Sequence, residues 1–235
     1  MLTKARIKQI KSLGDKKFRD SLGLFTAEGE KLVEEALSSG FTVQEVFRRD
    51  EIGAEAMSRI SQLSSPSPVL AVIEKPASTQ PPKPVEGRIY LALDGVRDPG
   101  NLGTLLRLAD WFGAEAVLLS RSCADIYNPK VVQASMGSIF RVPSFYCDLP
   151  AFCRDAAGSG IKVYGTFLGG TVIYDAPLVG GGIIVMGSES DGISPEVEAE
   201  VSCRLFIPPH REGPTAESLN VAAAAAITLS EFCRR

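Results

Sequence analysis

The chain has 235 residues, 45% of them hydrophobic, enough to bury a real core and to exclude disorder as its dominant state. Its 25 basic and 28 acidic side chains leave a net charge of −3, so bulk charge does not mark a nucleic-acid binder. The sum hides a gradient: the first 20 residues hold seven basic side chains (Lys4, Arg6, Lys8, Lys11, Lys16, Lys17 and Arg19) against Asp15 and Asp20.

In chain order, Ile7, Ile10 and Leu13 are spaced along one helix face with lysines between them. A helix is predicted over 31–39, with Leu32, Val33, Ala36 and Leu37 on one side. A strand follows over 41–47, a helix over 54–63 and a strand over 69–73. Residues 1–75 therefore read as a small α/β domain of mixed order. Residues 76–87 hold Pro76, Pro81, Pro82 and Pro84 without periodicity and read as an extended linker.

Residues 88–235 alternate more regularly. Strands are predicted over 89–93, 116–119, 141–145, 162–166, 183–186 and 205–207. Helices are predicted over 102–112, 129–137 and 217–233, with one more between 145 and 162. Such alternation implies an α/β domain with a mostly parallel sheet covered on both faces.

Five cysteines (Cys123, Cys147, Cys153, Cys203 and Cys233), odd in number and without a Cys-x-x-Cys pair, are expected to be reduced thiols. A single histidine, His210, argues against a multi-histidine metal site and against a histidine-dependent triad. No metal is expected. No apolar run approaches the roughly 20 residues of a membrane span. The first residues lack the apolar stretch of a secretory signal, so a cytoplasmic location without a membrane partner is expected.

Three segments at the ends of predicted strands carry the chemistry, because ligands collect at that edge of an open parallel sheet. The first runs from Asp94 through Asp98-Pro99-Gly100-Asn101 to Gly103 and Arg107, a tight turn into a helix with Asn101 as candidate N-cap. Arg107 lies about 240° around the helix from Asn101 and about 9 Å along it, off the Asn101 face. The second, Gly187-Ser188-Glu189-Ser190-Asp191-Gly192, favours close backbone approach to a ligand beside a carboxylate. The third runs from Ile207-Pro208-Pro209 to Ser218-Leu219-Asn220-Val221, a proline-rigid loop into the last helix. Each reads equally well, alone, as an ordinary capped turn. The order of the glycines around Asn101 is not the Gly-x-Gly-x-x-Gly of a dinucleotide site, which counts against a dehydrogenase.

Together and in this order the segments resemble the motifs of the SpoU family of RNA 2′-O-ribose methyltransferases, within the SPOUT class. Asp98-Pro99-Gly100-Asn101 with Gly103 and Arg107 resembles its first motif. Gly187, Glu189 and Gly192 resemble its second. Ile207-Pro208 and Ser218-Leu219-Asn220-Val221 resemble its third. The stretch 128–137 is similar to the family between motifs, and 19–29 is similar to the RNA-binding substrate domain many members carry in front. Pro209 stands where many members have methionine, Ala222 where serine is common, and His210-Arg211-Glu212 lengthen the third-motif loop.

The resemblance implies a C-terminal parallel-sheet domain with a trefoil knot, a homodimer, and S-adenosylmethionine as cofactor. It implies a cofactor site at Gly187, Glu189, Gly192, Ile207, Pro208, Ser218, Leu219 and Asn220. It implies catalytic roles for Arg107, Asn101, Glu189, Ser218 and Asn220. Its substrate would be a ribose 2′-hydroxyl in structured RNA. rRNA is favoured over tRNA because the front domain resembles ribosomal proteins that bind RNA kinks. Stripping a proton from a guanidinium near neutral pH is expensive, which favours Arg107 as a phosphate-binding fork over a general base. The basic front segment is the candidate electrostatic footprint of RNA, with a solvated helix face as the alternative. A tRNA substrate, or a non-catalytic RNA-binding assembly factor on the same fold, remains an alternative.

Overall fold

The structure, a computed structural model, describes residues 2–77, 80–211, 213–214 and 216–234. Ser78 and Thr79 of the predicted linker and Glu212 of the lengthened loop lie outside the described residues. The chain forms two compact units: Met1–Ser78 with Asp125–Arg141, and Thr79–Ala124 with Val142–Arg235.

In the first unit, α1 (Lys4–Ser12) is capped by the Thr3 hydroxyl, which accepts from the Arg6 amide. α2 (Lys16–Leu22) stops at Gly23, whose φ of +66° turns the chain into β1 (Leu24–Glu28). Then come α3 (Glu30–Ser38), β2 (Val43–Arg48), α4 (Arg49–Ile52), α5 (Ala54–Ile60) and β3 (Val69–Glu74). The three strands form an antiparallel sheet ordered β1-β3-β2. Ile7, Ile10 and Leu13 pack on Met57, Ile60, Leu70 and Val72, as their helical spacing requires. β1 escaped the sequence pattern because all five of its residues are buried, Thr26 and Glu28 included, so no polar–apolar alternation marks it. The buried Glu28 carboxylate accepts from the Ser61 hydroxyl (2.7 Å) and the Gln62 amide (2.5 Å), tying off the end of α5.

Residues 125–141, assigned from sequence to the second domain, make their contacts with the first unit. The Arg19 guanidinium grips the Asp125 carboxylate (2.7 and 2.9 Å) and donates to the Leu13 and Gly14 carbonyls. Phe25 lies 4.7 Å from the Tyr127 ring, and Phe41 lies 5.3 Å from Phe140. The helix of this segment, α7 (Pro129–Ser135), packs on β1. No local pattern reveals such pairing, since Arg19 and Asp125 are 106 residues apart.

In the second unit, β4 (Ile89–Leu93) leads to α6 (Pro99–Trp111) and β5 (Ala116–Leu119). β6 (Ser144–Tyr146), α8 (Leu149–Gly158), β7 (Val163–Phe167), β8 (Thr171–Val172) and β9 (Gly182–Met186) follow. α9 (Pro195–Glu198), β10 (Cys203–Phe206) and α10 (Val221–Arg234) complete it. The seven strands are ordered β6-β5-β4-β9-β7-β10-β8, and every paired neighbour is parallel. β4, β5 and β9 are apolar and buried almost throughout, the signature of a sheet covered on both faces. α10 packs against α6. Among the described residues no helix is long and apolar enough to cross a membrane.

The Arg19–Asp125 pair is almost fully buried, so removing one partner strands the other's charge. Asp125→Ala should lower unfolding free energy by about 3–5 kcal/mol in urea titrations. Removing the nearly half-exposed carboxylate in Glu45→Ala, which frees Arg6, should cost under about 1 kcal/mol.

Candidate functional site

The first motif folds differently in detail from its sequence reading. Asp98, not Asn101, is the N-cap of α6: its carboxylate accepts from the Asn101 amide at 2.8 Å. Pro99 explains this, because its fixed φ and missing N–H suit the first helical position and start the helix there. Asn101 is thereby released from capping, and its side chain faces out of the first turn. Asp94, at the end of β4, is nearly buried and accepts from the Ser194 amide (2.8 Å) at the start of α9. It ties the first motif to the far side of the second.

The second motif closes on itself. The Ser188 amide donates to the Gly192 carbonyl (2.9 Å), and the Gly192 amide donates back (3.1 Å). Gly192 sits at φ +70°. A Cβ on Gly187 would lie 2.2 Å from the Gly192 carbonyl carbon, so only glycine lets the two strands of this loop pass. Glu189 projects from its exposed tip.

The third motif also differs. α10 begins at Val221, so Ser218 lies in the loop before it. Asn220 supplies the cap: its Oδ1 accepts from the amides of Ala222 (2.9 Å) and Ala223 (3.3 Å). Asparagine is among the strongest caps, and it sets the start against the alanine run that follows.

These assignments fix the polarity of a chain of hydrogen bonds across all three motifs. Asn220 Oδ1 is committed to helix amides, so its Nδ2 donates to Asn101 Oδ1 at 3.0 Å. Asn101 Nδ2 is then free to donate to the Glu189 carboxylate, which can only accept. Asn101, Glu189 and Asn220, 119 residues apart at the extremes, thus meet at one point.

Beside them lies a pocket of about 490 Å³ at the carboxyl ends of β9, β7 and β10. Gly187, Glu189, Gly192, Ile207, Ser218 and Leu219 line it; Pro208, Asn220, Asn101 and Arg107 do not. The sequence reading missed its third wall, Thr166 and Phe167 at the end of β7 and Leu168 just after it, although Gly165 and the Gly169-Gly170 pair bracket them. Its strand-end position was the available signal. The wall is apolar at Met186, Leu205, Ile207, Leu219 and Val221, and its acidic lining residues are Glu189, Asp191, Glu198 and Glu217. Arg107 is exposed on α6 and has no hydrogen-bond or ion-pair partner among the described residues. Among those residues no group of three or more His, Cys, Asp or Glu side chains is placed to hold a metal ion.

A parallel sheet whose strand ends join these three motifs over one pocket defines an RNA methyltransferase of the α/β class. The chain belongs to the SpoU rRNA methylase family, whose model matches residues 88–230. Residues 4–84 match the MRM3-like substrate binding domain. The chain is 34% identical over 238 residues to the 23S rRNA (guanosine(2553)-2′-O)-methyltransferase RlmP of Bacillus subtilis (strain 168). That match covers 94% of this chain and 93% of the relative. An AdoMet-bound rRNA methyltransferase from Sinorhizobium meliloti superposes with a TM-score of 0.87 at 32% identity, covering 100% of this chain and 96% of that one. The SpoU methyltransferase AviRb from Streptomyces viridochromogenes, in complex with AdoMet, gives 0.85 at 26% identity, covering 99% and 98%.

Gly187→Ala forces a clash between backbone segments instead of a flexible side chain. It should cost about 1–3 kcal/mol of stability by urea titration. It should also weaken S-adenosylmethionine binding measured by calorimetry.

Proposed function

We propose that this chain transfers a methyl group from S-adenosylmethionine to a ribose 2′-hydroxyl of 23S rRNA. The observation that carries the reading is the directed hydrogen-bond chain from α10 through Asn220 and Asn101 to Glu189, set beside the pocket. The pocket's residues fit the cofactor. Leu205, Ile207, Leu219 and Val221 offer an apolar wall for a flat base, the Gly187–Gly192 turn offers close backbone approach, and Glu189 and Glu217 complement a positive charge. When bound, S-adenosylmethionine supplies a methyl already activated on a sulfonium. The chain's own task is alignment. Bound there, the cofactor would give up its methyl to the 2′-hydroxyl oxygen, the sulfur keeping the bonding pair as a neutral thioether, and the hydroxyl proton would pass to solvent water.

Glu189, held by Asn101, keeps the pocket's lip in one position. Ser218 and Leu219 close the opposite rim. Arg107 has five donors and no acceptor, so it binds the phosphate beside the reacting ribose and positions the hydroxyl instead of taking its proton. Its place on α6, outside the pocket lining, is accounted for by a homodimer whose copies share their sites. The exposed Trp111, one turn further on the same helix, fits that face. A trefoil knot fits the order of the flanking elements: β10 lies beyond β9 and β7 in the sheet, yet α10 packs on α6 after β4. A cytoplasmic location fits the five free thiols.

Mapping 2′-O-methyl positions in rRNA from cells with and without the protein should show one position lost with it. An unchanged map overturns the reading. Arg107→Lys should lower turnover by about 100-fold or more while S-adenosylmethionine affinity stays unchanged by calorimetry. Retained turnover with lost cofactor binding would reassign Arg107.

A further inference from the structure

The seven basic side chains of the first 20 residues do not act as one patch. Arg6 pairs with Glu45, Lys16 with Asp20 and Arg19 with Asp125. Lys75, from outside that segment, holds the same Asp20 and helps drive its carboxyl down to about 2. Those cations are neutralised within the fold. Lys4, Lys8 and Lys17 have no ion-pair partner among the described residues. Lys4, Lys8 and Lys11 fall at i, i+4 and i+7 on α1, one stripe along the helix. Opposite that stripe, α5 presents Arg59 and Ser58. Together they line a groove of about 920 Å³ floored by Ile7, with Asp15 as its one carboxylate.

The groove is built, not accidental. α1 and α5 are joined beneath it by Ile7, Ile10, Met57 and Ile60. At its end Lys11 Nζ donates to the Ser61 carbonyl (2.5 Å), and the Gln62 amide group donates to the Ile10 and Lys11 carbonyls (3.1 Å each). The buried Glu28 carboxylate holds Ser61 and Gln62 from behind. Four cations are therefore kept along one concave face of a chain whose net charge is −3.

We infer that this groove between α1 and α5 is a docking track for the RNA phosphate backbone, outside the methyl-transfer site. Lys4, Lys8 and Arg59 are its principal contacts. Lysine and arginine without aromatic partners read phosphate charge and spacing, not base identity, so the track contributes affinity and register without sequence choice. The inference rests on RNA being the substrate.

The test compares the full-length chain with Lys4→Gln/Lys8→Gln/Arg59→Gln and with Lys17→Gln, a free lysine outside the groove. In vitro transcribed 23S rRNA is the probe, over a salt series, with thermal melts confirming that each variant folds. The triple variant should flatten the slope of log affinity against log salt by about 2 to 3 units, at roughly 0.7–0.9 per lost phosphate contact. KM for RNA should rise while S-adenosylmethionine affinity holds, and Lys17→Gln should match wild type. A triple variant with the wild-type slope overturns the groove and leaves the enzymatic reading standing. Polyglutamate competing as well as polyuridylate would reassign the groove to acidic polypeptide and overturn it too. A wild-type chain that neither binds nor methylates the RNA overturns the functional reading and the groove with it.

Discussion

The site depends on a polarity that propagates through amides. α10 presents unpaired N–H groups at its first turn, and Asn220 Oδ1 accepts two of them. That leaves only the Asn220 Nδ2 for Asn101, which in turn must point its own Nδ2 at Glu189. Each partner has one chemically permitted orientation once the helix end is capped. Three loops from distant parts of the chain are therefore set relative to one another by a helix terminus. Any substitution that removes a member leaves its neighbours with donors or acceptors to satisfy at the lip of the pocket.

The sheet explains why those loops can meet at all. β9 lies between β4 and β7, so the turns after β4, β9, β7 and β10 emerge side by side along one edge. Asp94 adds a second tie under the first, joining the end of β4 to the start of α9. With Gly187 and Gly192 passing at contact distance, the second-motif turn is held from below, from the side and within itself. The hydrogen bonds of this turn are made before anything enters the pocket, which reduces the ordering cost of binding.

What could be read in the sequence was what glycine, proline and asparagine punctuate. The alternation after residue 88, the three strand-end turns and the core stripe of α1 all carry local signals, and the structure brings Asn101, Glu189 and Asn220 to one point. What stayed hidden was non-local. β1 has no alternation because both of its faces are covered. The β7 wall of the pocket takes its place from β9 and β10, which flank β7 in the sheet. The capping roles of Asp98 and Asn220 turn on competition between adjacent candidates, which Pro99 and the start of α10 decide. The basic front segment looked uniform in sequence, yet Arg6, Lys16 and Arg19 answer to Glu45, Asp20 and Asp125.

The return of residues 125–141 to the first unit has a consequence for biosynthesis. As the nascent chain leaves the ribosome, Phe25 and Arg19 emerge long before Tyr127, Phe140 and Asp125, so the amino-terminal sheet waits with an uncovered aromatic ring and an unmatched guanidinium. β4, α6 and β5 are threaded through that interval. The amino-terminal unit can close only once residue 141 has been made, with the larger part of the second unit still to follow.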